Sequence, residues 1–130
     1  MQVFRGIPEH GTAPSVLTSG NFDGVHRGHQ ALLAMLVAKA RTAGLPAVVL
    51  TFEPHPREYF SPDNAPARLA SLREKLLLLS TCAIDRVHVC RFDAHLAALS
   101  ADAFIDRLLI AGLGLRHLIV GDDFRFGAGR

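Results

Sequence analysis

The chain has 130 residues, 49% of them apolar and 20% charged, with a net charge of +2. That is room for one domain with a sizeable core, and it excludes two ordinary domains or a disordered chain. The absence of any Lys/Arg run gives no support for a nucleic-acid partner. The longest apolar run in the first helical segment, Ala31 to Ala38, falls far short of the ~20 residues of a membrane span.

In chain order, Met1 to Pro14 reads as irregular, broken by Gly6, Pro8, Gly11 and Pro14. No charged segment followed by an apolar core stands here, so no signal peptide is expected. Ser15-Val16-Leu17-Thr18 reads as a short strand. From Arg27 to Ala43, apolar residues Leu32, Leu33, Leu36, Val37 and Ala40 recur at helical steps, and Gly44 and Pro46 end the pattern. Ala47 to Phe52 is a continuous apolar run between prolines, the pattern of a strand buried on both faces of a parallel sheet.

Glu53 to Arg68 is proline-rich and reads as loop. Ser71 with Glu74 is a capping-box signal for a helix through Leu72, Leu76, Leu77, Leu79 and Ser80. On it, Arg73 and Lys75 read as solvated charges. Arg86 to Phe92 reads as a third strand, in which His88 alternates with Val87 and Val89 and faces outward or toward a covering helix. Ser100 suits the cap of a helix carrying Phe104, Ile105, Leu108 and Leu109. His117 to Val120 reads as a fourth strand, followed by Gly121-Asp122-Asp123-Phe124-Arg125-Phe126-Gly127. His10, His95 and His117 lie in loops or at strand starts without spaced partners. Cys82 and Cys90 lie outside any C-x-x-C pattern and read as buried free thiols, which fits a reducing cytoplasm.

Strands alternating with helices imply an α/β fold, a Rossmann-like open parallel sheet with right-handed crossovers. Such sheets bind ligands beyond the carboxyl ends of their strands. Three segments fall there: the turn Ser19 to Gln30, Phe52 to Pro56, and Gly121 to Gly127. In the first, Gly20, Gly24 and Gly28 allow a phosphate chain close to backbone at a helix N-terminus, which attracts anions. His26 and His29, three apart, share one helix face. Imidazoles there can donate to phosphate oxygens and stabilise a pentavalent transition state without acting as nucleophiles. A metal pair and two incidental surface histidines are the rival readings, but no third ligand lies nearby in sequence and the second leaves the flanking glycines unexplained. Asp23 can be a plain helix cap or part of the site. The pattern is neither a P-loop nor the dinucleotide fingerprint.

The motif His26-Arg27-Gly28-His29 after a strand resembles the H-x-G-H signature of the nucleotidylyltransferase superfamily. The longer segments Gly20 to His29, Thr51-Phe52-Glu53-Pro54-His55-Pro56 and Gly121 to Arg130 resemble the FMN adenylyltransferase (FAD synthetase) module of bacterial bifunctional riboflavin kinase/FMN adenylyltransferases. Pro66-Ala67-Arg68-Leu69 and Leu72-Arg73-Glu74-Lys75 fit as well. The resemblance implies attack of the FMN phosphate on the α-phosphorus of ATP, giving FAD and pyrophosphate, with Mg²⁺ on the triphosphate. It implies catalytic roles for His29 and His26, and ATP contacts from Gly20, Asn21, Phe22, Asp23, Gly24, His26, Gly28, His29 and Arg130. It implies a flavin side made of Phe52, Pro54, His55, Pro56, Phe60, Asp123, Phe124 and Phe126. Phe52 as core and Phe60 as a loop-packing residue are the alternative readings. Asp122 reads as a solvated acid or loop cap.

The partners so implied are ATP and FMN, with no nucleic acid, no membrane and no protein-held metal. Residues 1–130 are then part of an N-terminal adenylyltransferase domain. The module's Ser/Thr-rich phosphate motif and a separate C-terminal riboflavin kinase domain are expected beyond Arg130. Two other readings stay open: a different H-x-G-H adenylyl- or cytidylyltransferase, and, for this piece alone, a non-catalytic nucleotide- or flavin-binding module.

Overall fold

A computed structural model describes residues 1–8, 13–23, 27–65 and 67–121. Its centre is a five-stranded sheet. The strands are β1 (Gln2–Arg5), β2 (Ser15–Ser19), β3 (Ala47–Glu53), β4 (Arg86–Arg91) and β5 (Leu115–Leu118). Their order across the sheet is β1-β4-β3-β2-β5, and every pairing is parallel. The helices are α1 (Arg27–Ala43), α2 (Pro56–Phe60), α3 (Leu72–Ser80), α4 (Ala94–Ala97) and α5 (Ala101–Ala103), the last continuing as a π-helix over Phe104–Gly112.

The alternation of side chains along the strands builds two cores, one on each face. Val16, Ala47, Val49, Val87 and Val89 meet Leu33, Leu36 and Ala40 of α1 and Leu79 of α3. On the other face Leu17, Val48, Leu50 and Phe52 meet Leu96 of α4, and Phe104, Leu109 and Leu113 of the α5 continuation and its end. Each fully buried Leu or Phe contributes about 1.5–3 kcal/mol of transfer free energy. These layers explain why β2 and β3 lack polar alternation: both faces are covered.

Three expectations are corrected. The N-terminal segment is not wholly irregular, since Gln2–Arg5 forms an edge strand paired with β4. The Glu53 to Arg68 stretch is not all loop: Pro56 occupies the first turn of α2, where its missing N–H costs nothing. The last strand runs from Leu115 rather than His117. Close packing ties the N-terminal segment to the helical layer. A Cβ on Gly112 would stand 2.5 Å from a methyl of Ile7 and 2.7 Å from the carbonyl of Pro8, so only glycine fits.

Strand order places the binding edge. From β2 the chain winds through β3 to β4, and β5 then lies on the opposite side of β2. The order therefore reverses between β2 and β5, and open α/β sheets bind ligands in the crevice at such a point.

Candidate active site

The turn after β2 lies at this reversal. Gly20 donates its N–H to the Leu50 carbonyl at 3.1 Å, holding the turn to β3. A Cβ on Gly20 would stand 3.2 Å from the ring of Phe22, so the bare glycine makes room for that ring. Phe22 adopts φ 50° and is only 3% exposed, packed into the core beneath α1. It meets His29 edge-to-face at 5.1 Å between ring centroids. His29 is half-buried on the first turn of α1, beside the exposed Gly28. The core thus supports the imidazole from below.

Asp23 is tied to a distant part of the chain. Its carboxylate accepts from Leu69 N–H at 2.9 Å and Ala70 N–H at 2.8 Å, just before α3. Burial pushes its pKa up. The two N–H groups, with His55 and Arg68 nearby, outweigh that and hold it below the usual carboxylate range. The carboxylate anchors the segment before α3.

The end of β3 carries a charged, partly buried network. Glu53 accepts a two-pronged contact from Arg68 at 2.7 and 2.8 Å. Burial raises the Glu53 pKa, but Arg68, Lys75 and His55 pull it down further. The Glu53 contact likewise raises Arg68. His55 precedes α2 and is 7% exposed. Its N–H is held by the Glu58 carboxylate at 2.8 Å. Its Nε2 accepts from Arg68 at 2.8 Å and Lys75 at 3.3 Å. Burial lowers its pKa, and the two cations lower it more than Glu58 and Glu53 restore it, so the ring is neutral with its lone pair on Nε2.

Lys75 is not a solvated helix charge, in contrast to the exposed Arg73. It is fully buried, and its Nζ donates to Thr51 Oγ1 at 3.0 Å. Thr51 Oγ1 in turn donates to the Asn21 carbonyl at 3.4 Å, on the turn after β2. Burial is the main reason its pKa falls to about 8.

The aromatic residues divide. Phe52 is 1% exposed, with its ring 5.7 Å from Phe92 and 6.3 Å from Phe104, and fills the core. The open aromatic surface comes from α2, where Tyr59 and Phe60 pack at 5.3 Å and each contacts Phe92. Phe60 is 58% exposed. Pro54 is half-buried, and the Glu53–Pro54 peptide is cis. Pro56 opens α2.

Thus Gly20, Asn21, Phe22, Asp23, Gly28, His29, Pro54, His55, Pro56 and Phe60 surround one end of the sheet. Gly24, His26, Asp123, Phe124, Phe126 and Arg130 lie outside the described residues. Sequence reasoning gave Thr51, Glu53, Tyr59 and Arg68 no individual role and misassigned Lys75. The signal for Lys75 was present: Leu72, Lys75, Leu76 and Leu79 follow the spacing of a core-facing stripe.

One other histidine and both cysteines are also placed. His88 is covered, not outward-facing: its ring stacks on Phe4 at 5.2 Å, and its Nδ1 donates to the Gly6 carbonyl at 3.0 Å. Cys82 and Cys90 are free and half-buried, and burial raises the Cys90 thiol to about 11.

The FAD synthetase family model matches residues 9–130. The chain is 54% identical over its full length to the bifunctional riboflavin kinase/FMN adenylyltransferase of Escherichia coli K12, and covers 42% of that protein. It is 51% identical to the protein of the same description from Pseudomonas fluorescens, again over the full chain and 42% of the relative. For that of Haemophilus influenzae the identity is 46%, over the full chain and 43% of the relative. The chain thus spans under half the length of these relatives. A solved structure described as a macrolide-efflux protein from Streptococcus pneumoniae superposes with a TM-score of 0.83 at 25% identity. That match covers 98% of this chain and 44% of the other and establishes the shared fold. No helix among the described residues is long and apolar enough to cross a membrane.

Proposed function

The chain belongs to the FAD synthetase family, and from that premise we propose that it carries the adenylyl-transfer site that makes FAD from FMN and ATP. The observation that carries the reading is the joining of two segments at the sheet's reversal point. The histidine-bearing turn after β2 is bound to the end of β3 through Thr51, and to the segment before α3 through Asp23. One segment suits a triphosphate and the other a flat acceptor.

In this reading an FMN phosphate oxygen attacks the α-phosphorus of ATP. The bond from that phosphorus to the bridging oxygen breaks, and pyrophosphate leaves. Catalysis of such a transfer is mostly positioning and charge stabilisation. His29, held by Phe22, donates to oxygens at the α-phosphate; His26 acts beside it. Gly20, Gly24 and Gly28 let backbone approach the phosphates, and Asn21, Phe22 and Asp23 shape that wall. Arg130 is a further phosphate contact in this reading. Pro54, His55, Pro56 and Phe60 line the flavin side with Asp123, Phe124 and Phe126, and Phe52 backs it from the core. Tyr59 adds a second exposed ring.

Mg²⁺ arrives with the triphosphate and offsets its charge. Among the described residues no three His, Cys, Asp or Glu side chains gather as a metal cage. In the intact protein a separate domain phosphorylates riboflavin to FMN, as the relatives' names couple the two activities. The cytoplasm supplies both substrates.

The test is incubation of the intact protein with FMN, ATP and Mg²⁺. Stoichiometric FAD and pyrophosphate are expected. Absence of FAD, with turnover on another phosphorylated acceptor, would refute the assignment.

A further inference from the structure

Among the described residues Lys75 is the only lysine or arginine that is fully buried. A buried ammonium costs stability unless its surroundings compensate. An apolar side chain would suit the α3 stripe on which it stands. No carboxylate among the described residues forms an ion pair with Lys75, since the salt bridges of Arg68 engage Glu53 and Glu58. Its hydrogen bonds go instead to two neutral groups, Thr51 Oγ1 at 3.0 Å and His55 Nε2 at 3.3 Å.

Those two groups lie on different sides of the site. Thr51 reaches the Asn21 carbonyl on the phosphate-side turn. His55 opens α2, which carries Tyr59 and Phe60 on the acceptor side. Lys75 is therefore the joint between the segment that meets ATP and the segment that meets the acceptor. We propose that Lys75 is a positioning residue for adenylyl transfer, its ammonium fixing the acceptor-side segment against the phosphate-side turn through His55 and Thr51. The inference rests on the FMN adenylylation reading. It assigns Lys75 no contact with substrate.

The charged state of Lys75 matters because only the ammonium can donate to Thr51 and His55 together with full strength. The charges around it are Glu53 of β3, Glu58 of α2, Arg68 and Asp23, with His55 itself neutral. With the ammonium titrating at about 8, the joint weakens as pH rises past that value.

The experiment compares intact parent, Lys75→Met and Thr51→Val proteins. Thermal melts confirm folding, and FAD synthesis is followed across pH 6.5–9.5. Lys75→Met is expected to lower kcat/KM for FMN by about tenfold to a hundredfold, the scale of a misplaced reacting group, while the KM for ATP changes far less. The parent is expected to lose activity above about pH 8, and Lys75→Met to lack that alkaline limb. Thr51→Val is expected to lower kcat/KM by about tenfold, and the double variant to be no worse than the worse single one, as for a shared network. Should Lys75→Met fail to fold, the Thr51→Val result decides. Variants that fold and match the parent in kcat/KM and pH profile overturn the positioning role while FAD synthesis by the parent stands. A parent that makes no FAD overturns the functional reading and this role with it.

Discussion

The burial of Lys75 makes a stability prediction separate from activity. Its pKa falls from the ordinary 10.5 to about 8 in the folded chain. Between those values the unfolded state holds a proton on this lysine that the folded state has released. Stability of the parent therefore rises with pH through that window. The shift corresponds to about 3 kcal/mol, at about 1.4 kcal/mol per pKa unit. Lys75→Met removes the titration and leaves no buried group orphaned, since Thr51 keeps the Asn21 carbonyl and His55 keeps Arg68. The stability of the variant relative to the parent should therefore be highest at pH 7 and fall by about 3 kcal/mol by pH 10.5. Urea unfolding of the intact proteins at matched pH values, followed by far-UV circular dichroism, measures this difference. A difference that does not change between pH 7 and 10.5 would refute the argument that the ammonium is buried at a cost.

Other perturbations test other contacts. His29→Ala should stay folded and lose about 10²–10³-fold in kcat, the scale of one transition-state hydrogen-bond donor; unaltered turnover by the folded variant would remove His29 from its role. Asp23→Asn should destabilise by about 1.5–3 kcal/mol near neutral pH by weakening the charge-assisted bonds from Leu69 and Ala70. Because the Asp23 and Glu53 carboxyls titrate below their usual range when folded, the stability they add is present at neutral pH. It is lost as pH falls below about 4, and acid titrations should show a shallower loss in Asp23→Asn. Gly20→Ala should cost about 1–3 kcal/mol by pressing on the Phe22 ring. Its effect on kcat should exceed what that instability explains, because the same ring supports His29; an active, merely less stable variant would contradict that link.

The sequence made some layers legible and hid others for physical reasons. The uninterrupted run Ala47 to Phe52 announced a doubly covered strand, and it became β3. The Ser71–Glu74 box announced α3, and both of its reciprocal bonds form. By contrast Gln2–Arg5 shows no strand pattern, because an exposed edge strand owes its conformation to pairing with β4 rather than to a buried face. Pro56 read as part of a proline-rich loop, although proline is also a favoured first helical residue. The contacts that build the site are the least legible. Asp23 reaches Ala70 across 47 positions and Lys75 reaches Thr51 across 24, and no local period encodes such partners. The reading of Phe52 as core is supported by its burial and ring contacts, whereas the anchoring bonds of Asp23 had no local signal in the sequence.

The fate of the ATP phosphorus atoms tests the central claim most directly. Intact protein is supplied with FMN, Mg²⁺ and ATP labelled in turn at the α- and γ-phosphorus. Adenylyl transfer predicts α-label in FAD and γ-label in pyrophosphate. FAD without α-label, or α-label recovered in pyrophosphate, would contradict it.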